Sequence, residues 1–253
     1  KDYVDWVESL FSTQGLHNFE KWRNNFRMKV VDSPFEMEKN LIEIIESGNK
    51  SVRILSSYTR EWKSREGLDR NHSKKECTFD FDFVDKYGNR YQKYWNNPES
   101  YDIFVQGSKN SLMEKDPLCE VGCPYVVRGF DYDYVGILWL KDLVRRGDKW
   151  MINFSEACET ATNSSRKMAF EEQVALLKSK GLSVKKAKER LEIFPVVAND
   201  RNPPYTTAFF RTIVQAYRIL FTRAVKGIYV YIQDDETRTY VQDLLKYPIR
   251  IMN

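Results

Sequence analysis

Long apolar runs are missing from this 253-residue sequence. No segment approaches the roughly 20 consecutive apolar residues that a membrane-spanning helix needs, so we expect no membrane partner. The first residues, KDYVDWVE, also lack the uninterrupted apolar stretch of a secretory signal. Because the sequence starts with Lys1 rather than Met, we expect Lys1 to be an internal position of a longer protein.

Cysteine and histidine are scarce as well. Four cysteines without a secretory signal predict reduced thiols in a cytoplasmic protein rather than a disulfide framework. Cys119 and Cys123 are close, but no second pair completes a zinc ribbon, and we expect no metal site. The two histidines, His17 and His72, lie in no run that suggests a Ser-His or Cys-His nucleophile system.

A phosphate-binding loop is also absent, since the pattern Gly-x-x-x-x-Gly-Lys-Ser/Thr occurs nowhere. No acidic box follows a hydrophobic strand as a magnesium-holding Walker B motif does. We therefore expect that this chain cannot build a complete ATP site by itself. The net charge of +4 is spread along the chain and indicates a polyanionic partner only weakly.

The first quarter of the sequence alternates between helix and strand patterns. Apolar residues spaced three and four apart predict a helix near 2–11. A strand over 26–31, a helix beginning at Pro34 and a strand over 52–58 follow. The order strand, helix, strand favours a right-handed parallel crossover.

The remaining segments predict a single α/β domain over 1–253. Phenylalanines that alternate with aspartates predict a β-hairpin over 78–95, and an apolar run at 135–140 predicts a central strand. We interpret the charged helical stretch within 163–194 as an inserted helical pair. A long helix after Pro204 then leads into a final strand. The sheet is expected to be mostly parallel and flanked by helices.

The most informative segment is YRILFTRAVKG at 217–227, where a helix ends in a basic cluster and passes directly into a predicted strand. It resembles helicase motif six of superfamily one, whose Thr-Arg-Ala core precedes a strand and whose arginine reaches the γ-phosphate bound by a neighbouring lobe. The resemblance implies that Arg223 is a catalytic arginine finger, with Thr222 and Arg218 beside the nucleotide. Arginine suits this role because its charge is permanent and its planar fork matches phosphate oxygens. The alternative is that Arg218, Arg223 and Lys226 only offset the dipole at a helix C-terminus.

A second segment, RGFDYDYVG at 128–136, resembles helicase motif five. With the sequence Asp-Leu-Val that follows the strand, it is similar to the ATPase family catalogued as domain of unknown function 2075. The resemblance implies that Arg128, Gly129 and Asp131 contact nucleotide, and glycine would let the backbone approach a phosphate. That family usually has Gln before the glycine and Glu two residues after it, whereas this sequence has Arg128 and Asp131. A turn that enters a strand beside an acidic run is the alternative.

A third segment, RILSSYTREWK at 53–63, resembles helicase motif four, a strand that leads into a loop. Tyr58 and Trp62 are candidates to stack on bases, with Arg60 and Lys63 near phosphate. An ordinary surface loop, whose long side chains cover apolar neighbours, is the alternative.

Asp80, Asp82 and Asp85 suggest a rival function, because clustered carboxylates can bind magnesium for phosphodiester hydrolysis. Alternation with phenylalanine is, however, what a strand with one solvated face produces. A neighbouring acid and lysine for a metal-dependent nuclease cannot be identified.

Together the three resemblances imply a RecA-like fold and the second, C-terminal lobe of a superfamily-one helicase-like ATPase. The implied partners are an N-terminal RecA-like lobe, expected before Lys1, and DNA or RNA. ATP with Mg²⁺ would be bound mainly by that first lobe. The alternative is a degenerate RecA-like lobe that acts as a non-catalytic nucleic-acid- or protein-binding module.

Overall fold

The computed structural model describes most of the chain, and the described residues are 2–11, 21–49, 51–64, 78–95, 104–105, 107, 109–158, 163–197 and 202–246. The strands are β1 (Arg27–Val31), β2 (Val52–Ser56), β3 (Phe81–Val84), β4 (Arg90–Trp95), β5 (Glu120–Gly122), β6 (Tyr132–Trp139), β7 (Leu143–Arg146), β8 (Lys149–Ile152), β9 (Val196–Val197) and β10 (Ala224–Ile232). The helices are α1 (Asp2–Leu10), α2 (Pro34–Glu46), α3 (Leu112–Lys115), α4 (Asn163–Ser179), α5 (Val184–Ile193), α6 (Pro204–Phe221) and α7 (Asp235–Lys246), with a 3₁₀ helix at Lys21–Asn24.

Seven strands form the main sheet in the order β1-β10-β6-β2-β5-β4-β3. Strands β6 and β10 are neighbours inside the sheet, each with a strand on both sides, and their continuous apolar runs are buried, as expected for strands covered on both faces. Every neighbouring pair is parallel except β3 and β4. This confirms the predicted hairpin and the mostly parallel sheet. The strands β1 and β2 are parallel, as expected, but β10 and β6 lie between them.

Two predicted helices cover the sheet, and local sequence explains where each begins. Helix α2 has Pro34 in its first turn, and the Glu36 N–H donates to the Ser33 hydroxyl at 3.0 Å, which is a standard helix cap. Helix α6 buries the apolar face that the sequence predicted and places the Tyr217 ring 4.5 Å from the Trp139 ring of β6.

The predicted helical pair is confirmed as α4 and α5, which share a small apolar cluster of Val174, Ala187 and Leu191. Gly181, with φ of +94°, lies between the two helices. Sequence analysis did not predict the second sheet, in which β7, β8 and β9 pair antiparallel. Gly147 has φ of +57° in the tight turn between β7 and β8, so the Arg-Gly-Asp run there was an available turn signal.

Within the described part of the chain, no helix has both the length and the apolar character required to cross a membrane.

Candidate functional site

The segments that resemble motifs five and six meet at one edge of the sheet. Strands β6 and β10 are parallel neighbours, so the residues that precede each strand lie at the same edge, which we call the amino edge. Tyr132 at the start of β6 pairs with Ala224 at the start of β10, and the Tyr132 N–H donates to the Arg223 carbonyl at 2.8 Å. The fold thus places Arg223 beside the turn that carries Gly129 and Asp131.

The Arg223 guanidinium is held from several sides. Its Nη1 lies 3.3 Å from Asp131 Oδ1 and donates to the Phe130 carbonyl at 3.4 Å. Its Nε donates to the Ile219 carbonyl in the last turn of α6 at 3.2 Å. The side chain is 21% exposed, and that of Asp131 is 60% exposed. Because an exposed ion pair contributes little free energy, a phosphate can compete with Asp131 for this guanidinium.

Gly129 lies in the turn before β6 and has φ of +87°, a conformation that side-chain-bearing residues rarely adopt. A Cβ atom built there would meet no described atom within 4 Å. The glycine is therefore required by the turn and not by crowding. Arg128 and Asp131 are exposed on either side of it. This open space is compatible with the approach of a phosphate to the backbone.

The two remaining residues of the predicted nucleotide site have structural roles. Thr222 donates from its hydroxyl to the Arg218 carbonyl at 2.8 Å and ends helix α6. Arg218 directs its Nη2 to Glu8 of α1, with an N–O distance of 2.8 Å. The structure therefore brings together Arg223, Thr222 and the Gly129 turn, whereas the Arg218 guanidinium is paired with α1.

Two residues of this edge were missed by sequence analysis. The Arg53 guanidinium lies 5.2 Å from the centre of the Tyr132 ring and donates from Nε to the Phe104 carbonyl at 2.7 Å. Burial lowers the pKa of Arg53. Burial raises the pKa of Tyr132 to about 12, although the charges of Arg53 and Arg223 act in the opposite direction. A basic residue within an apolar strand, Val-Arg-Ile-Leu, was the available signal for Arg53.

The predicted nucleic-acid residues lie at the opposite edge of the sheet. Strand β2 is parallel to β6, so the loop after β2 follows the carboxyl ends of the strands. Tyr58 and Trp62 are half-buried and pack against the main core. Arg60 Nη1 lies 2.8 Å from Glu156 Oε2, and Lys63 is exposed. The structure therefore does not bring these four residues to Arg223.

A buried polar cluster lies at this carboxyl edge and was also missed. Asp142 accepts hydrogen bonds from the Tyr217 hydroxyl at 2.6 Å and the Ser57 hydroxyl at 2.9 Å. Burial raises the pKa of Asp142, and the two hydroxyl donors partly offset this. The cluster links α6 to the ends of β2 and β6.

The three carboxylates of the nuclease hypothesis each have hydrogen-bond partners within the protein. Asp80 is buried and accepts from the backbone N–H groups of Lys63 at 2.6 Å, Ser64 at 2.9 Å and Trp95 at 2.7 Å. Asp82 binds Arg90 through two 2.6 Å hydrogen bonds.

Asp85 accepts from two backbone N–H groups of the hairpin turn, those of Tyr87 and Asn89, both at 2.9 Å. All three carboxylates are therefore explained by local structure.

Metal-ligating side chains do not gather in the described ranges, where no group of three or more His, Cys, Asp or Glu residues could hold an ion. Burial raises the pKa of the thiols of Cys119 and Cys158. Both histidines, His17 and His72, and Cys77 fall outside the described residues.

Comparison with protein families supports the helicase resemblance. Residues 1–234 match the model of the Schlafen group 3, DNA/RNA helicase domain family. No curated protein and no solved structure matches the chain. The mostly parallel sheet with flanking helices is a RecA-like α/β fold, in agreement with this match. Because the family model spans 234 of the 253 residues, the chain belongs to the Schlafen group 3 DNA/RNA helicase domain family.

Proposed function

We propose that this chain is the second, C-terminal RecA-like lobe of a superfamily-one helicase-like ATPase, and that Arg223 is its arginine finger. The observation that carries the proposal is the contact between the two motif segments, with Arg223 Nη1 3.3 Å from Asp131 at the amino edge. Membership of a DNA/RNA helicase domain family supports it. Domain of unknown function 2075 is a related ATPase family by motif resemblance.

The residues at this edge fit the γ-phosphate of a nucleotide but not a whole nucleotide. They supply one oriented guanidinium and an open turn at Gly129, whereas the sequence has no phosphate-binding loop. A neighbouring N-terminal lobe would therefore hold ATP with Mg²⁺. The chemistry supplied there is transfer of the γ-phosphoryl group to water.

Arg223 acts by presenting a permanent positive charge that is fixed before the reaction begins. Its Nε is tied to the last turn of α6, and its Nη1 contacts the Gly129 turn through Phe130 and Asp131. A charge that is already oriented stabilises the negative charge that develops in the transition state, whereas water molecules would first have to reorient.

The nucleic-acid part of the proposal concerns the carboxyl edge. Tyr58, Arg60, Trp62 and Lys63 follow β2 there, so this loop lies at the edge of the sheet opposite Arg223. The ion pair between Arg60 and Glu156 must open before Arg60 can bind phosphate. Lys63 is exposed, and we propose it as the first contact in this loop.

A specific observation favours the second candidate function, a non-catalytic nucleic-acid- or protein-binding module. The Gly129 turn has Arg128 and Asp131 where the ATPase family that it resembles usually has Gln and Glu, and Asp131 Oδ1 lies 3.3 Å from Arg223 Nη1. A lobe of this kind would keep the fold and lose ATP turnover. ATPase assays of the full-length protein with and without DNA or RNA separate the two candidates, since the binding module predicts no turnover.

The finger is tested by Arg223→Ala in the full-length protein. We expect kcat for ATP to fall about a thousandfold, because an arginine finger contributes about that factor or more. Arg223→Lys should recover little, since an ammonium lacks the planar fork. Arg90→Ala, which removes an exposed arginine at the start of β4, is the matched control and should leave kcat unchanged. Turnover of Arg223→Ala within a few-fold of wild type, with an unchanged melting temperature, would rule out the finger.

A further inference from the structure

A groove of about 590 Å³ opens at the amino edge, near the starts of the neighbouring strands β1, β10 and β6. Its wall is formed by residues 22–28, which run from the 3₁₀ helix into β1, and by side chains that include Tyr134 of β6 and Lys226 of β10. Lys226 follows Arg223 by three residues, but the groove includes neither Arg223 nor the Gly129 turn. The groove is therefore separate from the proposed nucleotide contact.

The charges that line this groove are all positive. Arg23, Arg27 and Lys226 line it, and no Asp or Glu among the described residues does. Arg27 Nη1 donates to the Tyr229 hydroxyl at 3.3 Å, and this hydrogen bond raises the pKa of Arg27. Lys226 Nζ donates to Asp133 at 2.8 Å, which raises its pKa. The side chains of Arg27 and Lys226 therefore stay positively charged at neutral pH, and each can bind a further anionic group.

Neutral donors add to this positive wall. Asn24 and Asn25 are exposed beside Arg27, so their side-chain amides can donate to an oxygen ligand in the groove. Trp22 is only 6% exposed, and its Nε1 has no hydrogen-bond acceptor among the described residues. The same is true of Arg23 Nε. A buried donor without an acceptor is unfavourable, because the N–H group has lost its contact with water and gained no hydrogen bond in return. Both Trp22 and Arg23 belong to the residues that line the groove.

We propose that this groove is a phosphate-binding site that takes a phosphate group of a single-stranded nucleic acid or of a free nucleotide. The side chains that line it include several N–H donors, three of them on cationic residues, and a phosphate group has several acceptor oxygens to bind them. Arg27 and Lys226 provide the charge, and Asn24 and Asn25 provide neutral donors. The inference goes beyond the action of Arg223 on ATP and holds whether or not the chain supports turnover.

The test measures binding, so its failure is distinct from a failure of the ATPase proposal. Labelled single-stranded DNA, RNA of the same sequence, and ADP are each titrated against the full-length protein by fluorescence anisotropy or calorimetry. For Arg27→Gln we expect the oligonucleotide Kd to rise about tenfold, the effect of losing one charged hydrogen bond. The slope of log Kd against log salt should fall by about one.

Arg90→Gln is the matched control, because Arg90 is also an exposed arginine at the first position of a strand, at the opposite side of the sheet. Its oligonucleotide Kd should stay unchanged. Asn25→Asp places a negative charge in the groove without removing a cation, and we expect a similar weakening.

If Arg27→Gln raises the Kd for ADP but not the Kd for either oligonucleotide, the result supports the site and identifies the source of the phosphate as a nucleotide. Two outcomes would overturn the inference. The first is that Arg27→Gln and Asn25→Asp both fold and leave the Kd for every probe unchanged. The second is that Arg90→Gln raises the oligonucleotide Kd as much as Arg27→Gln does.

Discussion

Asp142 carries a carboxylate that is only 1% exposed and has two hydroxyl donors, on Tyr217 and Ser57. We consider two substitutions, Asp142→Ala and Asp142→Asn. Alanine removes the acceptor of both hydroxyls, whereas asparagine keeps one oxygen acceptor and exchanges the other oxygen for a donor. A hydroxyl can donate or accept, so both contacts can persist in Asp142→Asn.

The magnitude follows from the buried donors. A buried hydroxyl that loses its acceptor costs about 1–3 kcal/mol, so two such losses sum to roughly 2–6 kcal/mol. Removal of a buried charge offsets part of this cost. We therefore expect Asp142→Ala to lower the free energy of unfolding by about 3 kcal/mol. Asp142→Asn should change it by less than about 1 kcal/mol near neutral pH.

The pH dependence separates the two variants further. Burial raises the pKa of Asp142 above its ordinary value of 3.8, so the folded state binds the proton more tightly than the unfolded state. The contribution of Asp142 to stability is therefore fully present below pH 3.8 and is lost as pH rises through the folded-state pKa. Asparagine does not titrate, so Asp142→Asn should gain stability relative to wild type as pH rises through this window.

The assay is urea unfolding followed by tryptophan fluorescence at a series of pH values from about 3.5 to about 8, so that the series begins below 3.8, where the predicted loss of stability starts. Trp139 reports on the cluster, because its ring lies 4.5 Å from that of Tyr217. The reasoning is refuted if Asp142→Ala costs less than about 1 kcal/mol. It is also refuted if wild type gains stability relative to Asp142→Asn as pH rises.

Two further stability predictions follow from close contacts and a cap. In Gly136→Ala the new Cβ would lie 2.7 Å from Leu41 Cδ1 and 3.0 Å from Met37 Sδ, so we expect a loss of about 1–3 kcal/mol in urea unfolding. A melting temperature equal to that of wild type would show that α2 moves away freely. Ser33→Ala removes the acceptor of the Glu36 N–H and should cost about 1 kcal/mol, while Ser33→Asp should retain the cap and most of the stability. Equal losses in both Ser33 variants would contradict the capping role.

Local sequence pattern predicted most elements of the main sheet. Strand β6 was predicted from its continuous apolar run, and helix α6 from apolar residues that recur at helical spacing on one face. The second sheet was missed, since β9 has only two residues and β7 mixes two apolar with two arginine residues. Strand order also depends on pairing between distant segments, and periodicity carries no information on that pairing.

Only part of the candidate site could be predicted from the sequence. Motif resemblance indicated Arg223 and the Gly129 turn, but their contact joins residues about 90 positions apart and follows from the pairing of β6 with β10. The position of Tyr58 at the opposite edge could have been deduced from a parallel sheet, because it follows a strand whereas Arg223 precedes one. The ion pair between Arg60 and Glu156 could not have been deduced, because no local pattern specifies a contact between distant loops.

An arginine finger binds the transferring phosphoryl group more tightly than it binds the ground-state nucleotide. The decisive measurement therefore compares the affinities of the full-length protein for ADP alone and for ADP with aluminium fluoride, which mimics that group. For Arg223→Ala we predict that the Kd for ADP with aluminium fluoride rises about a hundredfold to a thousandfold, while the Kd for ADP changes less than about threefold. Equal affinities of wild type and Arg223→Ala for ADP with aluminium fluoride would contradict the assignment of Arg223 as the finger.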